Sequence, residues 1–317
     1  MIPHNKLVLT EADHAAVARV MASGHIAQGP EVEAFERELA ERFRPDGAAV
    51  CVSSGTAALY LAIKLTSRDP EFVISTYTCS AVFYAALLDE RWSTLSDIDP
   101  VTLHPITRHL SEHTYGVIDT RPAPIEDFTH SPLPPAGSIG RLSVISFGAT
   151  KPLAAGAGGA VLGPKDAIED IRDRRDYDGK RDLRERFNFQ MSDLHAALGR
   201  TKLKRLDSDR ARRAEIAERY LKALRPVAYT PRGFWYRFPI MAERGLSAQQ
   251  LILVLAGYGI QAIAPVEPWE LLHRKLGHAF SRYSNAEMIA SRAVSLPVWP
   301  GMSEAEIGQV CSALEKL

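Results

Sequence analysis

Residues 49–65 read AVCVSSGTAALYLAIKL, and this stretch indicates the fold class of the chain. The apolar run 49–52 predicts a short buried strand, and the small and hydroxyl residues at 53–56 predict a tight turn. The next run, 57–65, predicts a helix. Short strands that alternate with helices are typical of an α/β protein with a mostly parallel sheet flanked by helices.

The same pattern continues on both sides of this stretch. It predicts helices at 11–22, 31–43 and 81–88 and strands at 72–74, 115–118 and 143–147. The repeated alternation supports the α/β interpretation for the N-terminal two thirds of the chain.

The C-terminal third has a different character. A charged helical pattern covers 192–224, and it is followed by a predicted strand at 236–241, a helix at 246–256 and a strand at 260–263. Ser303 and Glu306 form a capping box that predicts the start of the last helix. We therefore expect a large domain at residues 1–215 and a smaller α+β domain at residues 216–317, since ~100–200 residues per domain is usual.

The chain carries 38 basic and 38 acidic residues, so its formal net charge is zero. This balance argues against binding of nucleic acid or of an anionic membrane by bulk charge. No apolar run reaches the ~18–20 residues of a membrane span, and the N-terminus lacks the apolar region of a signal peptide. Cys51, Cys79 and Cys311 are too few and too far apart for a disulfide framework or a zinc site. We therefore expect a cytoplasmic protein without a metal site.

The first candidate site is the turn at residues 53–56. A strand that ends in small and hydroxyl residues and opens a helix presents free backbone N–H groups and the positive end of the helix dipole. Such an arrangement binds phosphate groups. Ser and Thr are also common capping residues, so an ordinary helix N-cap is the alternative.

Two further segments place reactive side chains at the ends of predicted strands. Glu126, Asp127 and His130 follow a short apolar piece, and the carboxyl ends of parallel strands are where ligands collect. Lys151 follows the strand at 143–147, among small residues, where a partly desolvated lysine acts as a nucleophilic amine. The alternatives are a solvated turn for the acids and a surface lysine in a glycine-rich hairpin.

The order and spacing of these segments say more than any one of them. The motifs are Gln28-Gly29-Pro30-Glu31-Val32, Ser54-Gly55-Thr56-Ala57-Ala58-Leu59, Glu126-Asp127 with His130, Ser146-Phe147 with Thr150-Lys151, Gly158-Gly159, and Phe187-Asn188-Phe189. This series resembles the DegT/DnrJ/StrS sugar aminotransferases, which use pyridoxal 5'-phosphate (PLP) and have the aspartate-aminotransferase fold, called fold type I. The resemblance runs from about residue 25 to residue 300.

The resemblance implies two catalytic residues. Lys151 is similar to the lysine that bonds covalently to PLP. Asp127 is similar to the acid that faces the pyridine nitrogen, where its negative charge keeps that nitrogen protonated. His130 falls where the family has glutamine or histidine beside the cofactor ring. Cys79 stands where the family has an aromatic residue over that ring.

The resemblance also implies a phosphate site and an assembly. Gly55, Thr56 and Ser146 are similar to the residues that hold the PLP phosphate, which agrees with the turn described above. Asn188 is similar to an asparagine that reaches the phosphate from the neighbouring subunit. The implied active form is therefore a homodimer with shared active sites.

The activity implied by the resemblance is transfer of an amino group from glutamate or glutamine to a keto sugar, nucleotide-linked in this family. One alternative is a PLP-dependent sugar dehydratase, in which histidine replaces the lysine, so Lys151 favours transamination. Another is a non-catalytic, regulatory member of the same fold.

The chain departs from the family pattern between Asp99 and Asp127, which are only 28 positions apart. The family has a longer strand-helix-strand passage there, so we expect a shortened central domain with at least one element missing. Ala157 and Gln190 also replace the usual Glu and Arg. These differences leave open a smaller keto substrate. The charged segment 172–186 is expected to be solvated, with binding of a diphosphate as the alternative.

Overall fold

A five-stranded sheet forms the centre of the computed structural model, which describes residues 1–66, 71–224, 233–243 and 245–317. Its strands, in spatial order, are β1 (Ala48–Val52), β7 (Gly159–Gly163), β6 (Leu142–Ser146), β5 (Ile125–Asp127) and β4 (Leu110–Glu112). The strands β4, β5 and β6 pair in parallel, whereas β7 runs antiparallel to both β6 and β1. Four strands therefore share one direction, which confirms the predicted α/β class with a mixed, mostly parallel sheet.

A parallel pair, β2 (Glu71–Ser75) and β3 (Trp92–Ser96), lies beside the β4 edge of this sheet. The N–H of His109 donates to the carbonyl of Val73, and the N–H of Val73 donates to Nδ1 of His109, both at 2.9 Å. These two bonds attach β2 to the residues that lead into β4.

Helices cover both faces of the sheet. In the N-terminal two thirds they are α1 (Glu11–Ser23), α2 (Pro30–Phe43), α3 (Gly55–Lys64), α4 (Ser80–Leu88), α5 (Lys165–Arg174), α6 (Asp193–Lys204) and α7 (Leu206–Ala223). Val50 and Val52 face the core that contains α3, whereas Ala49 and Cys51 face the core that contains Phe35 of α2. The strand β1 is thus buried on both faces, and this explains its continuous apolar sequence.

A smaller antiparallel pair, β8 (Phe238–Met241) and β9 (Ala293–Leu296), belongs to a second core. The C-terminal helices are α8 (Ala248–Gly257), α9 (Leu272–Lys275), α10 (Ser284–Arg292) and α11 (Glu304–Leu314). The buried apolar residues of α8 and α11 belong to this second core, whereas those of α9 and α10 pack in the core that contains α3. The predicted capping box at Ser303 and Glu306 is present at the start of α11. The predicted boundary between residues 215 and 216 falls within α7, whose Ile216 belongs to the second core. That boundary stays a prediction.

The structure corrects two predicted strands. Residues 115–118 do not form a strand, because Tyr115 has a φ of 57°, which is outside the extended region. Residues Thr114–Gly116 form a 3-10 turn, and the strand of this region lies earlier, at β4. Residues 260–263 form only isolated bridges, from Ile260 to Ile2 and from Ile263 to Ser295. The strands β3, β7 and β9 were not expected, since their sequences WSTLS, GAVLG and AVSL are short and lack a clear strand pattern.

The passage from β4 to β5 confirms the expected loss of an element. The strands are parallel, yet residues 113–124 connect them with a single 3-10 turn where a helix is usual. Nε2 of His113 lies 2.8 Å from Oε1 of Glu126, and Nδ1 of His113 accepts from the N–H of Asp119 at 2.9 Å. These buried bonds hold the short connection against β5. Across the described ranges, no helix has the length and apolar character needed to span a membrane.

Candidate active site

A cavity of about 620 Å³ opens at the carboxyl ends of β4, β5 and β6. Ligands in α/β proteins bind at this end of the sheet. Seven residues predicted from the sequence line the cavity: Gly55, Thr56, Cys79, Asp127, His130, Ser146 and Lys151. The eighth, Asn188, is exposed and does not line it.

The turn before α3 forms a cradle of the size and polarity that a phosphate group requires. Ser54 caps the helix through its Oγ, which accepts from the N–H of Ala57 at 3.0 Å. Gly55 and Thr56 lie in the first turn, whose N–H groups have no partner within the helix, and both residues line the cavity. A Cβ atom at Gly55 would lie 2.6 Å from Cβ of Ser146, so only glycine lets β6 approach this turn. The residues present therefore fit an anionic group at a helix N-terminus.

Lys151 lies in a turn after β6 and reaches the centre of the cavity. Its Nζ is 3.1 Å from Nε2 of His130 and 5.3 Å from the ring centroid of Tyr236. The His130 ring stacks on Tyr236 with 4.2 Å between centroids and 19° between planes. Burial, and then the charge of Lys151, hold the pKa of His130 well below its usual value. The imidazole is therefore neutral at pH 7, and its Nε2 accepts a hydrogen bond from the lysine amine.

Tyr236, which packs in the core that contains Phe35, and Arg237 lie just before β8; they were not singled out from the sequence, where they read only as part of a strand. Burial raises the pKa of the Tyr236 hydroxyl, but the charges of Lys151 and Arg237 outweigh it and the net pKa lies below the usual value. The guanidinium of Arg237 lies 5.2 Å from the Tyr236 ring centroid. One wall of the cavity is thus cationic and aromatic.

Acids also line the cavity, at the ends of β4 and β5. Oδ1 of Asp127, at the end of β5, accepts from the N–H of Thr129 at 2.9 Å, and Oγ1 of Thr129 accepts from the N–H of Ser146 at 3.0 Å. Glu112, at the end of β4, pairs in register with Asp127. The sequence reading missed Glu112; the available signal was an acid next to His113 in the shortened passage.

Two predicted residues lie at the edge of the site. Cys79 is an exposed residue at the start of α4, whereas the nearby Tyr77 is buried and its hydroxyl hydrogen-bonds that of Tyr115. Asn188 lies between Phe187 and Phe189, whose rings pack edge-on against Tyr60 of α3 at 5.3 and 6.3 Å between centroids. This packing fixes the Asn188 segment next to the phosphate cradle while the asparagine faces outward.

The charged segment 172–186 does not line the cavity. Its arginines pair with nearby acids, as Arg184 and Arg186 both do with Asp173. The exposed part of the segment is a network of ion pairs, in agreement with the solvated interpretation, but Arg175 is buried and pairs with the buried Glu36.

Comparison with known proteins identifies a family whose model matches most of the chain. The model of the DegT/DnrJ/EryC1/StrS aminotransferase family matches residues 8–115 and 134–315. The spore coat polysaccharide biosynthesis protein SpsC of Bacillus subtilis is 26% identical over 378 aligned positions, which cover 100% of this chain and 97% of SpsC. The stretch 116–133, which includes Asp127 and His130, lies outside the family match and coincides with the shortened passage.

Solved structures agree over the whole chain. AtS13 from Actinomadura melliaura has a TM-score of 0.84 at 28% identity and covers 100% of this chain and 99% of its own. The sugar aminotransferase CalS13 from Micromonospora echinospora has a TM-score of 0.85 at 22% identity, with 100% of both chains covered. With the family match and the cavity around Lys151, these similarities show that the chain belongs to the DegT/DnrJ/EryC1/StrS aminotransferase family and is a PLP-dependent aminotransferase.

Proposed function

We propose that this protein transfers an amino group from glutamate or glutamine to a keto sugar. The observation that carries the proposal is that Lys151, Asp127 and the N-terminus of α3 face one cavity. A nucleophilic amine, a carboxylate and an anion cradle are the three groups that a PLP enzyme needs in one place.

PLP fits the residues present. The first turn of α3 and Ser146 would hold its phosphate, Asp127 would face its ring nitrogen, and Lys151 would bond to its aldehyde carbon. When bound, PLP supplies an electron sink that weakens a C–H bond next to the substrate nitrogen.

Lys151 and His130 are the groups of the protein that would move and orient the proton. The amine of Lys151, when not bonded to PLP, would move a proton between a carbon of the substrate and a carbon of the cofactor, first as a base and then as an acid. His130, held neutral, accepts a hydrogen bond from this amine and orients it. The stacked rings of His130 and Tyr236 wall off the lysine from water on that side.

The sugar substrate is supported by what the similar proteins are called. SpsC is named for polysaccharide biosynthesis and CalS13 is described as a sugar aminotransferase. A cavity of about 620 Å³ lies in the usual range for small-molecule sites. Arg237 faces this cavity and is suited to an anionic group, the carboxylate of the amino acid or the diphosphate of a nucleotide sugar.

The proposed active form is a homodimer with shared sites. Asn188 is exposed on a segment anchored beside the cradle, a position from which a side chain can reach a second subunit. The proposed location of the protein is the cytoplasm.

The decisive experiment is reduction by borohydride of the protein loaded with PLP. The wild type is expected to show the visible absorption of lysine-bound PLP and to retain the cofactor after reduction, whereas Lys151→Ala is expected to lose both. Added glutamate should convert the spectrum to that of pyridoxamine phosphate. Wild-type protein that never shows the lysine-bound spectrum contradicts the proposal, and binding without conversion by any amino donor favours a regulatory role.

The nucleotide linkage has its own test. Thermal stability measured with TDP, UDP and GDP is expected to rise for one of them, since a ligand that binds only the folded state stabilises it. The gain should disappear in Arg237→Met. A panel without any shift, together with a shift from a free amino sugar, would leave a keto sugar that carries no nucleotide.

A further inference from the structure

Glu112 also lines the cavity, at the carboxyl end of β4, and no role described so far uses it. It ends β4 directly opposite Asp127 of β5, and both side chains line the cavity. Two residues that are register partners on neighbouring strands lie on the same face of the sheet, only about 5 Å apart along the hydrogen-bond direction. Whatever Asp127 contacts is therefore within reach of Glu112.

The carboxyl of Glu112 is incompletely paired. Its Oε1 accepts a hydrogen bond from the hydroxyl of Thr78. Its Oε2 is shielded from solvent and has no hydrogen-bond partner among the described residues, although the residue as a whole is only half-buried. A buried carboxyl oxygen without a partner is costly, and functional sites are where such groups are kept.

Glu126, fourteen positions further along, shows what a structural acid looks like in the same fold. Its two oxygens contact His113 and accept from the hydroxyl of Ser143 and from three backbone N–H groups, those of Gly137, Ile139 and Gly140. Every lone pair has a use, and none faces the cavity. Glu112 has the opposite arrangement: the residue lines the cavity, one carboxyl oxygen is anchored by Thr78 and the other has no partner among the described residues.

The charges around Glu112 oppose its ionisation. Asp127 of β5 is the register partner of Glu112. His113, which follows Glu112 in the sequence, forms its hydrogen bond with Glu126. The remaining titratable groups of the cavity are Tyr77, Tyr115, His130, Lys151, Tyr236, Arg237, Glu270 and Cys79. Among the described residues no Lys or Arg forms an ion pair with Glu112, as the salt bridges of this region belong to other acids. Burial first, and the charge of Asp127 second, raise the pKa of Glu112 to about 8, although the Thr78 bond opposes this rise.

We propose that Glu112 is a ligand-binding residue of this cavity, whose carboxyl donates a hydrogen bond to an acceptor atom on the cofactor ring held against Asp127. The inference rests on the proposed use of PLP. In this arrangement Asp127 supplies the negative charge and Glu112 supplies a neutral donor, so the two acids do not repel each other. Thr78 holds Oε1 of this carboxyl through its hydroxyl and leaves Oε2 without a partner among the described residues.

The proposal has a definite pH dependence. Above about pH 8 Glu112 loses its proton, and with it the donor, and places a second negative charge beside Asp127. Loss of the donor removes a hydrogen bond to the ligand, and the added negative charge repels the anionic phosphate of PLP or pyridoxamine phosphate. Each effect therefore weakens binding. A binding step linked to one proton loses up to about tenfold in affinity per pH unit above the pKa of the free protein. From pH 7 to pH 9 the wild type is therefore expected to lose about tenfold relative to a variant that cannot ionise.

The test is binding of pyridoxamine phosphate, which forms no covalent bond, to the full chain from pH 6.5 to pH 9.5 by calorimetry. Glu112→Gln keeps a neutral donor of the same shape, and Glu218→Gln, at an exposed position, is the matched control. The ratio of the wild-type Kd to the Glu112→Gln Kd should be constant below pH 7 and rise about tenfold by pH 9. Glu218→Gln should follow the wild type throughout.

A second variant decides the matter if Glu112→Gln does not fold. Thr78→Val removes the bond that favours the ionised carboxyl, so it should move the pH at which binding weakens to a higher value. Parallel pH profiles for wild type and Glu112→Gln, or an unmoved profile in Thr78→Val, overturn the inference. Absence of pyridoxamine phosphate binding at every pH overturns the proposed cofactor itself, and the two failures are therefore distinguishable.

Discussion

Nζ of Lys151 and Nε2 of His130 lie 3.1 Å apart, and the imidazole is stacked on Tyr236. Because burial and the lysine keep His130 neutral, the pair is a hydrogen bond from an amine to a ring nitrogen and not a repulsion between two cations. The lysine that the sequence marks as the nucleophile is thus held by a residue that the family match does not cover.

This contact predicts different effects for two substitutions of His130. His130→Phe keeps an aromatic ring on Tyr236 but removes the acceptor, and it should weaken capture of PLP by Lys151 about fivefold, the loss of one hydrogen bond of ~1 kcal/mol. His130→Gln retains an acceptor and should stay close to wild type. The measurement is the PLP concentration that gives half of the visible absorption. Equal affinities for the phenylalanine and glutamine variants would show that the contact is incidental.

The phosphate cradle predicts the effect of a single methyl group. Gly55→Ala places a Cβ within 2.6 Å of Ser146, so it should cost about 1–3 kcal/mol of stability by overpacking and should weaken PLP binding. Gly308→Ala is the matched control, since it lies inside α11 with no atom within 4 Å of the new Cβ. That change should stabilise the protein by about 0.5–1 kcal/mol, as alanine is favoured over glycine within a helix. Urea unfolding with and without PLP separates the two effects, and equal responses of both variants would contradict the cradle.

The fold and the site were predictable from the sequence to different degrees. The strand-turn-helix at 49–65 could be read because β1 is apolar on both faces and the turn carries hydroxyl and glycine residues. By contrast, β7 could not be predicted, because the sequence GAVLG has no strand pattern of its own. It is a strand because it pairs with β1 on one side and β6 on the other. The position of β4 was equally hidden, since the positive φ of Tyr115 depends on tertiary contacts.

The site divides in the same way. Lys151, Asp127 and Gly55 follow strands along the chain, so local pattern and spacing were enough to bring them to one edge of the sheet. Tyr236 and Arg237 enter from the residues just before β8, and Glu112 from the strand whose position was missed. No local pattern tells which side chain of a separate unit will face a cavity, so these residues required the three-dimensional structure.

The connection between β4 and β5 predicts a pH-dependent loss of stability at Glu126. Burial disfavours its charge, but the contact with His113 and the other hydrogen bonds outweigh burial and leave the pKa of Glu126 below its usual value. The carboxylate therefore contributes stability above the unfolded pKa of ~4.5, and this contribution is lost as the pH falls below that value. Glu126→Gln should cost about 3 kcal/mol at pH 7, and by urea unfolding this cost should fall by up to about 1.4 kcal/mol at pH 3.5, the most that one proton allows over the pH unit below ~4.5. A gap independent of pH would mean that the charge of Glu126 contributes nothing.

The proposed exchange of Asn188 between subunits predicts complementation. Asn188→Ala should weaken retention of PLP, whereas Glu218→Ala, at another exposed position, should not. In a mixture of Lys151→Ala and Asn188→Ala chains, a hybrid dimer has one site that combines an intact lysine with the partner subunit's intact asparagine. Borohydride should therefore trap PLP tightly at one site of each hybrid dimer. If Asn188 acts within its own chain, no site in the mixture has both groups and the mixture stays as weak as Asn188→Ala alone. An active monomer in sedimentation would contradict the exchange by itself, because the exposed Asn188 does not line the cavity of its own subunit.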